Sequence, residues 1–421
     1  MATALEKRLQ TILDKRQQSS KLRTLKRTPS ASIDFSSNDF LSLSTNAAFR
    51  QDFLDRLNSY DLGVGSTGSR LLDGNSGLAE QLEQDITAFH GAESALLTNS
   101  GFDANVSIFT CLPQPGDVVI YDELIHASVH DGMRAGRAKQ CIAFRHNDVQ
   151  HLAEVVEAVL PISSTNNIFV AVESVYSMEG DLAPLTEICD LLDAAVPKGR
   201  AHLIVDEAHS TGCYGDNGAG RVSELGLQNR VGIRLHTFGK ALACNGAAIL
   251  CSPIMRLYLI NYARPLIFTT FMSFPSLVAI RTAYDWMING RTNNLSQNLQ
   301  YLIRYLFDRL QSLADSASRL EDPSMLVLPQ TCPDSPIFAL LSTVPRDLAS
   351  HCQSLGFVVR PVVPPTVPEN TERVRVCLHA GNTTAQIDAF VLCLRDWIKA
   401  RSKVTAEVID EPQAMPIVAK L

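Results

Sequence analysis

The sequence predicts an α/β protein with three parts: a large domain on a mostly parallel sheet, a smaller C-terminal α+β domain, and an N-terminal helical arm. Two observations carry this reading. From about Gly77 onward, helix-period stretches alternate with short apolar runs that end in polar or glycine residues, the pattern of strands joined by helical crossovers. Beyond roughly residue 290 that alternation gives way to one long helix, three short strands and a closing helix. At 421 residues and 46% hydrophobic composition, the chain can bury a core large enough for such a domain with smaller attachments.

Along the chain, Leu5, Leu9, Ile12 and Leu13 recur first, at helical spacing among many charges, so residues 3 to 26 form an amphipathic arm. Ile33-Asp34-Phe35 is a short strand, and Leu78 to Phe89 a helix. The apolar runs Ala95-Leu96-Leu97, Asp117 to Ile120, Ile168 to Val172, His202 to Val205 and Ala247 to Leu250 are the strands of the large domain. A helix from Leu295 to Leu313 leads into strands around Ile337 to Leu341, Phe357 to Pro361 and Arg373 to Leu378, and a helix from Thr384 to Arg401 closes the small domain. The boundaries are then 1–55 for the arm, 56–290 for the large domain, 291–403 for the small domain and 404–421 for a flexible tail.

Charge and cysteine usage narrow the function classes. A net charge of −7 without a long basic run argues against nucleic acid as a partner. No uninterrupted apolar stretch reaches membrane-spanning length, and no signal-peptide core comes after Met1 to Lys7. Ten cysteines lie scattered without a CxxC pair or histidines at zinc spacing, which reads as reduced thiols and no metal centre. The terminal Ala419-Lys420-Leu421 resembles the tripeptide address read by the peroxisomal import receptor, so the expected location is the peroxisome, with the cytoplasm as the alternative.

The chemistry is concentrated in two fragments. Lys240 ends His236-Thr237-Phe238-Gly239-Lys240, and the run His202 to Val205 ends in Asp206-Glu207-Ala208-His209. A lysine amine can hold an aldehyde cofactor as a Schiff base, while an aspartate at a neighbouring strand end keeps a pyridine nitrogen protonated. Together they point to pyridoxal 5′-phosphate. Either fragment alone reads as well as a surface lysine after a turn, or as a helix-capping aspartate.

Other motifs gain weight from position. Open α/β sheets place their chemistry at the carboxyl ends of strands, where Glu173 and Asp206 both fall. Asn99 to Asn105 comes after a strand and opens an apolar helix; its small residues let backbone N–H groups approach a phosphate, although the same residues also make an ordinary N-cap. His126 can stack on a flat ring or serve a structural role. Gly63-Val64-Gly65-Ser66-Thr67-Gly68 matches the dinucleotide GxGxxG pattern, but no strand run precedes it and Gly74 breaks the next segment before a helix can form, so it reads as a glycine loop bordering an active site.

With these motifs in order, the chain resembles the α-oxoamine synthases, a branch of the fold-type I pyridoxal phosphate enzymes, from about residue 5 to residue 400. The resemblance is carried by Phe35 to Leu41, Gly65 to Arg70, Ser177 to Asp181, Asp206 to His209, Thr237 to Lys240 and Ile267 to Thr270. It implies that Lys240 is the cofactor lysine, that Asp206 partners the ring nitrogen, that His209 bonds the phenolate oxygen and that His126 stacks on the ring. Ser177 and Glu173 would line that side. The phosphate would be held by Ser100, Gly101, Phe102 and Thr237, and by Thr270 from a second subunit, so the resemblance also implies a homodimer with shared active sites. Arg375 would clamp the amino-acid carboxylate, a task suited to guanidinium. Asn38, in the Phe35 to Leu41 motif, and Arg23, near the acyl-CoA entrance, complete the substrate-binding set.

Phe35 to Asp39 and Val363 to Pro368 favour the branch that joins L-alanine to pimeloyl-CoA. Glycine or serine, another acyl-CoA, and an aldolase on the same fold are the alternatives. The chain departs from the family at Ala241 to Gly246, where many members are glycine-rich, at Thr67, where glycine is common, and at His379 to Asn382.

Overall fold

The computed structural model describes residues 2–19, 21–25, 27–29, 31–161, 166–317 and 322–409. Seven strands form the central sheet: β2 (Ser94–Thr98), β3 (Val118–Asp122), β4 (Gln140–Phe144), β5 (Ile168–Glu173), β6 (Ala201–Asp206), β7 (Ile233–Thr237) and β8 (Ala247–Cys251). The remaining strands are β1 (Ile33–Asp34), β9 (Ile337–Leu341), β10 (Phe357–Val358), β11 (Arg360–Val362) and β12 (Arg373–Cys377). The central sheet runs in the order β2-β8-β7-β6-β5-β3-β4. β7, β6, β5, β3 and β4 are parallel, and β8 runs antiparallel to both its neighbours.

Burial explains the strand sequences. Every residue of β5 and β8 is buried, which is why both read as continuous apolar runs rather than alternating ones. Helices cover both faces and form two separate cores there, one around Leu152, Val156, Ile188 and Leu192, the other around Ala104, Ile108, Phe109 and Val129. A three-stranded antiparallel sheet in the order β11-β12-β9 forms the small domain, backed by the helices Asn293–Ala317, Pro345–Ser354 and Thr384–Ile409.

The segment after the N-terminal helix is tied to this small domain. β1 pairs in parallel with β10, and Phe35 packs on Phe357 and Phe390 with ring centroids 6.1 and 5.0 Å apart. The N-terminal helix itself (Ala4–Gln18) carries a capping box at Thr3 and Glu6 and buries none of its residues. The closing helix continues to Ile409, past the Arg401 expected, and takes in residues 404–409, which composition alone assigns to the tail. Ala419, Lys420 and Leu421 lie outside the described residues.

Two departures from the family pattern keep glycine-like backbone. Thr67 has φ +58° and Ala243 φ +52°, both in the left-handed region that a Cβ disfavours by about 1–2 kcal/mol.

One partly buried cluster anchors the β3 and β4 ends. His146 Nδ1 lies 2.9 Å from Asp122 Oδ1, and Nε2 lies 2.8 Å from Asp181 Oδ2. Burial by itself pulls the imidazole pKa down, but the two carboxylates outweigh it and hold the group up at about 10, against an ordinary 6.5. A folded-state pKa above the unfolded one stabilises fully below about 6.5 and is lost as pH rises through about 10. The melting temperature of the protein should therefore fall between about pH 7 and about pH 10.5, and His146→Gln should flatten that fall. A variant with the wild-type slope would refute the assignment.

Candidate active site

The cavity at the carboxyl end of the sheet is built by strand ends. β6 delivers Asp206, β7 delivers Thr237 with Gly239 and Lys240 just beyond, β5 delivers Glu173, and the turn after β2 delivers Ser100, Gly101 and Phe102. With Asn38, Asn105, His126 and Ser128, these residues line about 270 Å³.

Asp206 is held from two sides. Its Oδ1 accepts from Ala208 N–H at 2.9 Å and its Oδ2 from the Asn105 amide at 2.9 Å. The neighbouring Glu207 turns away and accepts from the backbone N–H groups of Arg221 and Val222 at 2.8 and 2.7 Å, which pins the loop after β6. The Asn105 amide also donates to Ser128 Oγ at 3.0 Å. Ser128 offers His126 Nδ1 its backbone N–H at 3.2 Å and its hydroxyl at 2.7 Å. Because that N–H can only donate, Nδ1 is an acceptor and the imidazole is neutral with its proton on Nε2. One buried asparagine thus links the two residues expected to meet a flat ring at its nitrogen and on its face.

The electrostatics suit a lysine that must lose its proton. Burial lowers the Lys240 pKa and Arg375 adds to this, while Asp206 and Glu173 oppose it. Burial, reinforced by the charge on Asp206, raises Glu173 well above the carboxylate range, against the pull of Lys240. His209, 3% exposed, is driven well below its ordinary value by burial and then by Lys240, Arg375 and His126.

Three buried polar atoms here lack a partner: His209 Nδ1, Thr237 Oγ1 and Glu173 Oε1. Unpaired buried polar atoms are costly, and their grouping marks a place for a polar ligand. The backbone agrees. A Cβ at Gly101 would meet Thr237 Cγ2 at 2.4 Å, so only glycine lets the start of the Gly101–Cys111 helix close on β7. Ser100 caps that helix by accepting from Asp103 N–H at 3.0 Å, leaving the first-turn N–H groups for an anion. Lysine, aspartate and anion-binding helix start, with orphaned polar atoms between, fit pyridoxal phosphate.

Five expected residues, His209, Ser177, Thr270, Arg23 and Arg375, lie outside this lining. His209 packs beside it against Phe40, ring centroids 5.8 Å apart. Ser177 contributes its carbonyl, which accepts from Arg375 Nε at 2.6 Å. Thr270 is exposed, with its carbonyl accepting from Asn99 at 2.8 Å. Arg23 lines a second cavity of about 570 Å³ with Arg16, Lys21, Arg346, Arg360 and Arg375. The two cavities adjoin where Arg375 Nη2 donates to Asn38 Oδ1 at 3.0 Å.

Residues 30–393 match the family described as aminotransferase class I and II. The chain belongs to that family. Within it, the chain is an α-oxoamine synthase type of pyridoxal phosphate enzyme. It is 49% identical over 387 residues to the 8-amino-7-oxononanoate synthase of Emericella nidulans, spanning 90% of this chain and 92% of the relative. It is 41% identical to the aminoacyl transferase sphA of Aspergillus fumigatus, over 87% of this chain and 80% of the relative. Two solved structures share the fold. The serine palmitoyltransferase of Sphingomonas wittichii has a TM-score of 0.79 at 22% identity, over 96% of this chain and all of the other. The 8-amino-7-oxononanoate synthase of Francisella tularensis has a TM-score of 0.69 at 24% identity, over 88% and 99%.

Asn105 and Ser128 are site residues that the sequence does not single out. Asn105 stands inside the Asn99 to Asn105 motif, and a polar amide within an apolar helix is the available signal. Arg360 is a third, and only its strand register identifies it.

Proposed function

We propose that this chain condenses L-alanine with pimeloyl-CoA to give 8-amino-7-oxononanoate, CoA and carbon dioxide. The observation that carries the reading is the meeting of two cavities: the Lys240 and Asp206 site, whose Asn38 accepts from Arg375, and a cleft lined by six cations, Arg375 among them. The relative that is 49% identical bears this activity in its name.

Each group has work that its environment suits. Lys240, with its depressed pKa, takes the α-proton of the amino acid on Nζ and returns it to the product. Bound pyridoxal phosphate supplies the sink for the electrons left at the α-carbon. Asp206, fixed by Asn105 and Ala208, would hold the ring nitrogen, and neutral His126 would cover the ring face. His209 Nδ1, Thr237 Oγ1 and the first-turn N–H groups after Ser100 would take the cofactor's oxygens. Arg375 receives the amino-acid carboxylate. Thr270, exposed next to Phe268 that is itself 70% exposed, is suited to reach the phosphate of a second copy in a homodimer.

The cleft suits an anionic acyl-CoA. Arg360 stands directly opposite Arg375 across the β11–β12 pair, an arrangement of like charges that destabilises a sheet unless an anion lies between. Among the described residues the Arg360 side chain has no hydrogen-bond or ion-pair partner. A thioester whose chain ends in a carboxylate supplies the counter-charge.

A second reading is favoured by the 41% identical aminoacyl transferase: the same chemistry with another amino acid, such as glycine or serine, or another acyl-CoA. Release of CoA by the cofactor-loaded protein, with alanine, glycine and serine against a panel of acyl-CoAs, separates the two. Selective turnover of alanine with pimeloyl-CoA supports the first reading, and turnover of a different pair replaces it. Release of acetaldehyde without CoA release would indicate an aldolase. Arg360→Ala should raise the KM for pimeloyl-CoA about tenfold, or roughly 1.4 kcal/mol, and leave that for an acyl-CoA whose acyl chain lacks the carboxylate within about twofold. Equal loss on both would remove Arg360 from the account.

We propose that Ala419, Lys420 and Leu421 direct the protein to the peroxisome, with the cytoplasm as the alternative. A fluorescent protein carrying residues 410–421 that stays diffuse in cells would reject that placement.

A further inference from the structure

The His146 cluster lies outside both cavities, yet it bears on the substrate through the loop after β5. Two carboxylates face the two ring nitrogens, so both nitrogens donate and the ring is an imidazolium. Asn147, in the left-handed region at φ +52°, closes the same cluster. Its N–H donates to Asp122 Oδ2 at 2.9 Å, and its amide donates to Asp181 Oδ2 at 2.9 Å and to the Leu182 carbonyl at 3.2 Å. Tyr176 stands edge-on to the imidazole, ring centroids 4.4 Å apart.

Asp181 is the far end of a closed loop. Val175 and Leu182 bridge, Tyr176 N–H donates to the Asp181 carbonyl at 3.0 Å, and Gly180 N–H donates to the Tyr176 carbonyl at 2.9 Å. The tip of the loop grips β12 of the small domain. The Ser177 carbonyl accepts from Arg375 Nε at 2.6 Å, and Arg373 Nη1 donates to the Met178 carbonyl at 3.0 Å and to Glu179 Oε1 at 2.9 Å. Gly180 sits so close to β9 that a Cβ there would meet the Ile337 carbonyl oxygen at 2.3 Å. On one side the loop is therefore fastened to the large sheet through Asp181, while its other side sets the orientation of an arginine in the small domain.

We propose that His146 is a positioning residue for amino-acid binding: bridging Asp122 and Asp181, it holds the 174–182 loop at the height from which the Ser177 carbonyl aims Arg375. This rests on the reading of Arg375 as the carboxylate clamp. The ligand class follows from the chemistry, an α-amino acid gripped at its carboxylate, and the effect is confined to that group because the loop does not line the Lys240 cavity.

The test compares two amines on the holoenzyme, L-alanine and ethylamine, which lacks the carboxylate, each followed by the absorbance of the bound cofactor without acyl-CoA. Asp181→Asn and His146→Gln should each weaken alanine binding about tenfold and leave ethylamine binding and pyridoxal phosphate affinity within about twofold. The double variant should bind alanine no more weakly than either single one, because both break one connection. Asp181 is 45% exposed, so its amide variant decides the matter if the histidine variant does not fold. Parallel weakening of both amines would show a merely structural role, and unchanged alanine binding would sever His146 from Arg375; either overturns the proposal. Wild-type protein that binds ethylamine and alanine equally would instead overturn Arg375 as the clamp, and the proposal with it.

Discussion

Lys240→Ala should lower CoA release by about 10³-fold or more, since a positioned general base alone contributes about 10²–10⁴-fold. The site leaves no substitute for it. Glu173, another titratable group in the cavity, is pushed well above the carboxylate range by burial and by the Asp206 charge, and its Oε1 lacks a partner. His126 has its Nδ1 occupied by the N–H and hydroxyl of Ser128 and carries its proton on Nε2. The variant should also lose the lysine-linked cofactor that borohydride fixes in the wild type, while keeping the fold, because the hydrogen bond that Lys240 makes in the turn, from Ala243 N–H to its carbonyl at 2.9 Å, is a backbone one that alanine retains. Turnover within tenfold of wild type, or a cofactor still fixed to the protein by reduction, would contradict the assignment. Small residual activity restored by an exogenous primary amine would strengthen it.

The second large effect is expected at Asp206. Asp206→Asn keeps the shape but removes the negative charge, and it turns an NH₂ group towards either Asn105 or the Ala208 N–H, both of which are donors. Breaking a buried, hydrogen-bonded charged group costs about 3–5 kcal/mol, which corresponds to a loss of roughly 10²–10⁴-fold in turnover and weaker cofactor retention. A second consequence concerns its neighbours. The Asp206 charge raises both Lys240 and Glu173, so its loss should lower both and move the acidic limb of the pH–rate profile downward. Asn105→Ala should reproduce part of this effect, because it removes one of the two donors that fix the carboxylate. Equal pH profiles for wild type and Asp206→Asn, with turnover retained, would leave the aspartate without the role assigned to it.

Legibility differs between elements for physical reasons. β5 and β8 stand out as continuous apolar runs because both faces are covered. β4 and β7 are absent from the strands that the sequence predicts. β4 is an edge strand with Gln140, Cys141 and Ala143 exposed, so it lacks an apolar run. β7 is buried yet contains Arg234 and His236, which are tolerated because Arg234 donates to the His90 carbonyl at 2.9 Å and His236 Nδ1 meets Thr211 Oγ1 at 2.9 Å. Such partners come from distant segments, and a local pattern cannot announce them. The GxGxxG loop is correctly set aside, since the helix Ala47–Ser59, and no strand, precedes it.

By itself the sequence determined the α/β class, the lysine and aspartate pair and the cofactor they imply, because each is a local event: a strand end followed by a residue whose chemistry is intrinsic. What only the tertiary structure decided is everything that requires two distant segments to meet. Asn105 reaches Asp206 and Ser128 only once the sheet brings three strand ends together. Arg360 faces Arg375 only through the register of two short strands. His146, an ordinary residue between a strand and a helix, becomes a charged tie only when Asp122 and Asp181 close on it and supply the field that keeps its proton in place.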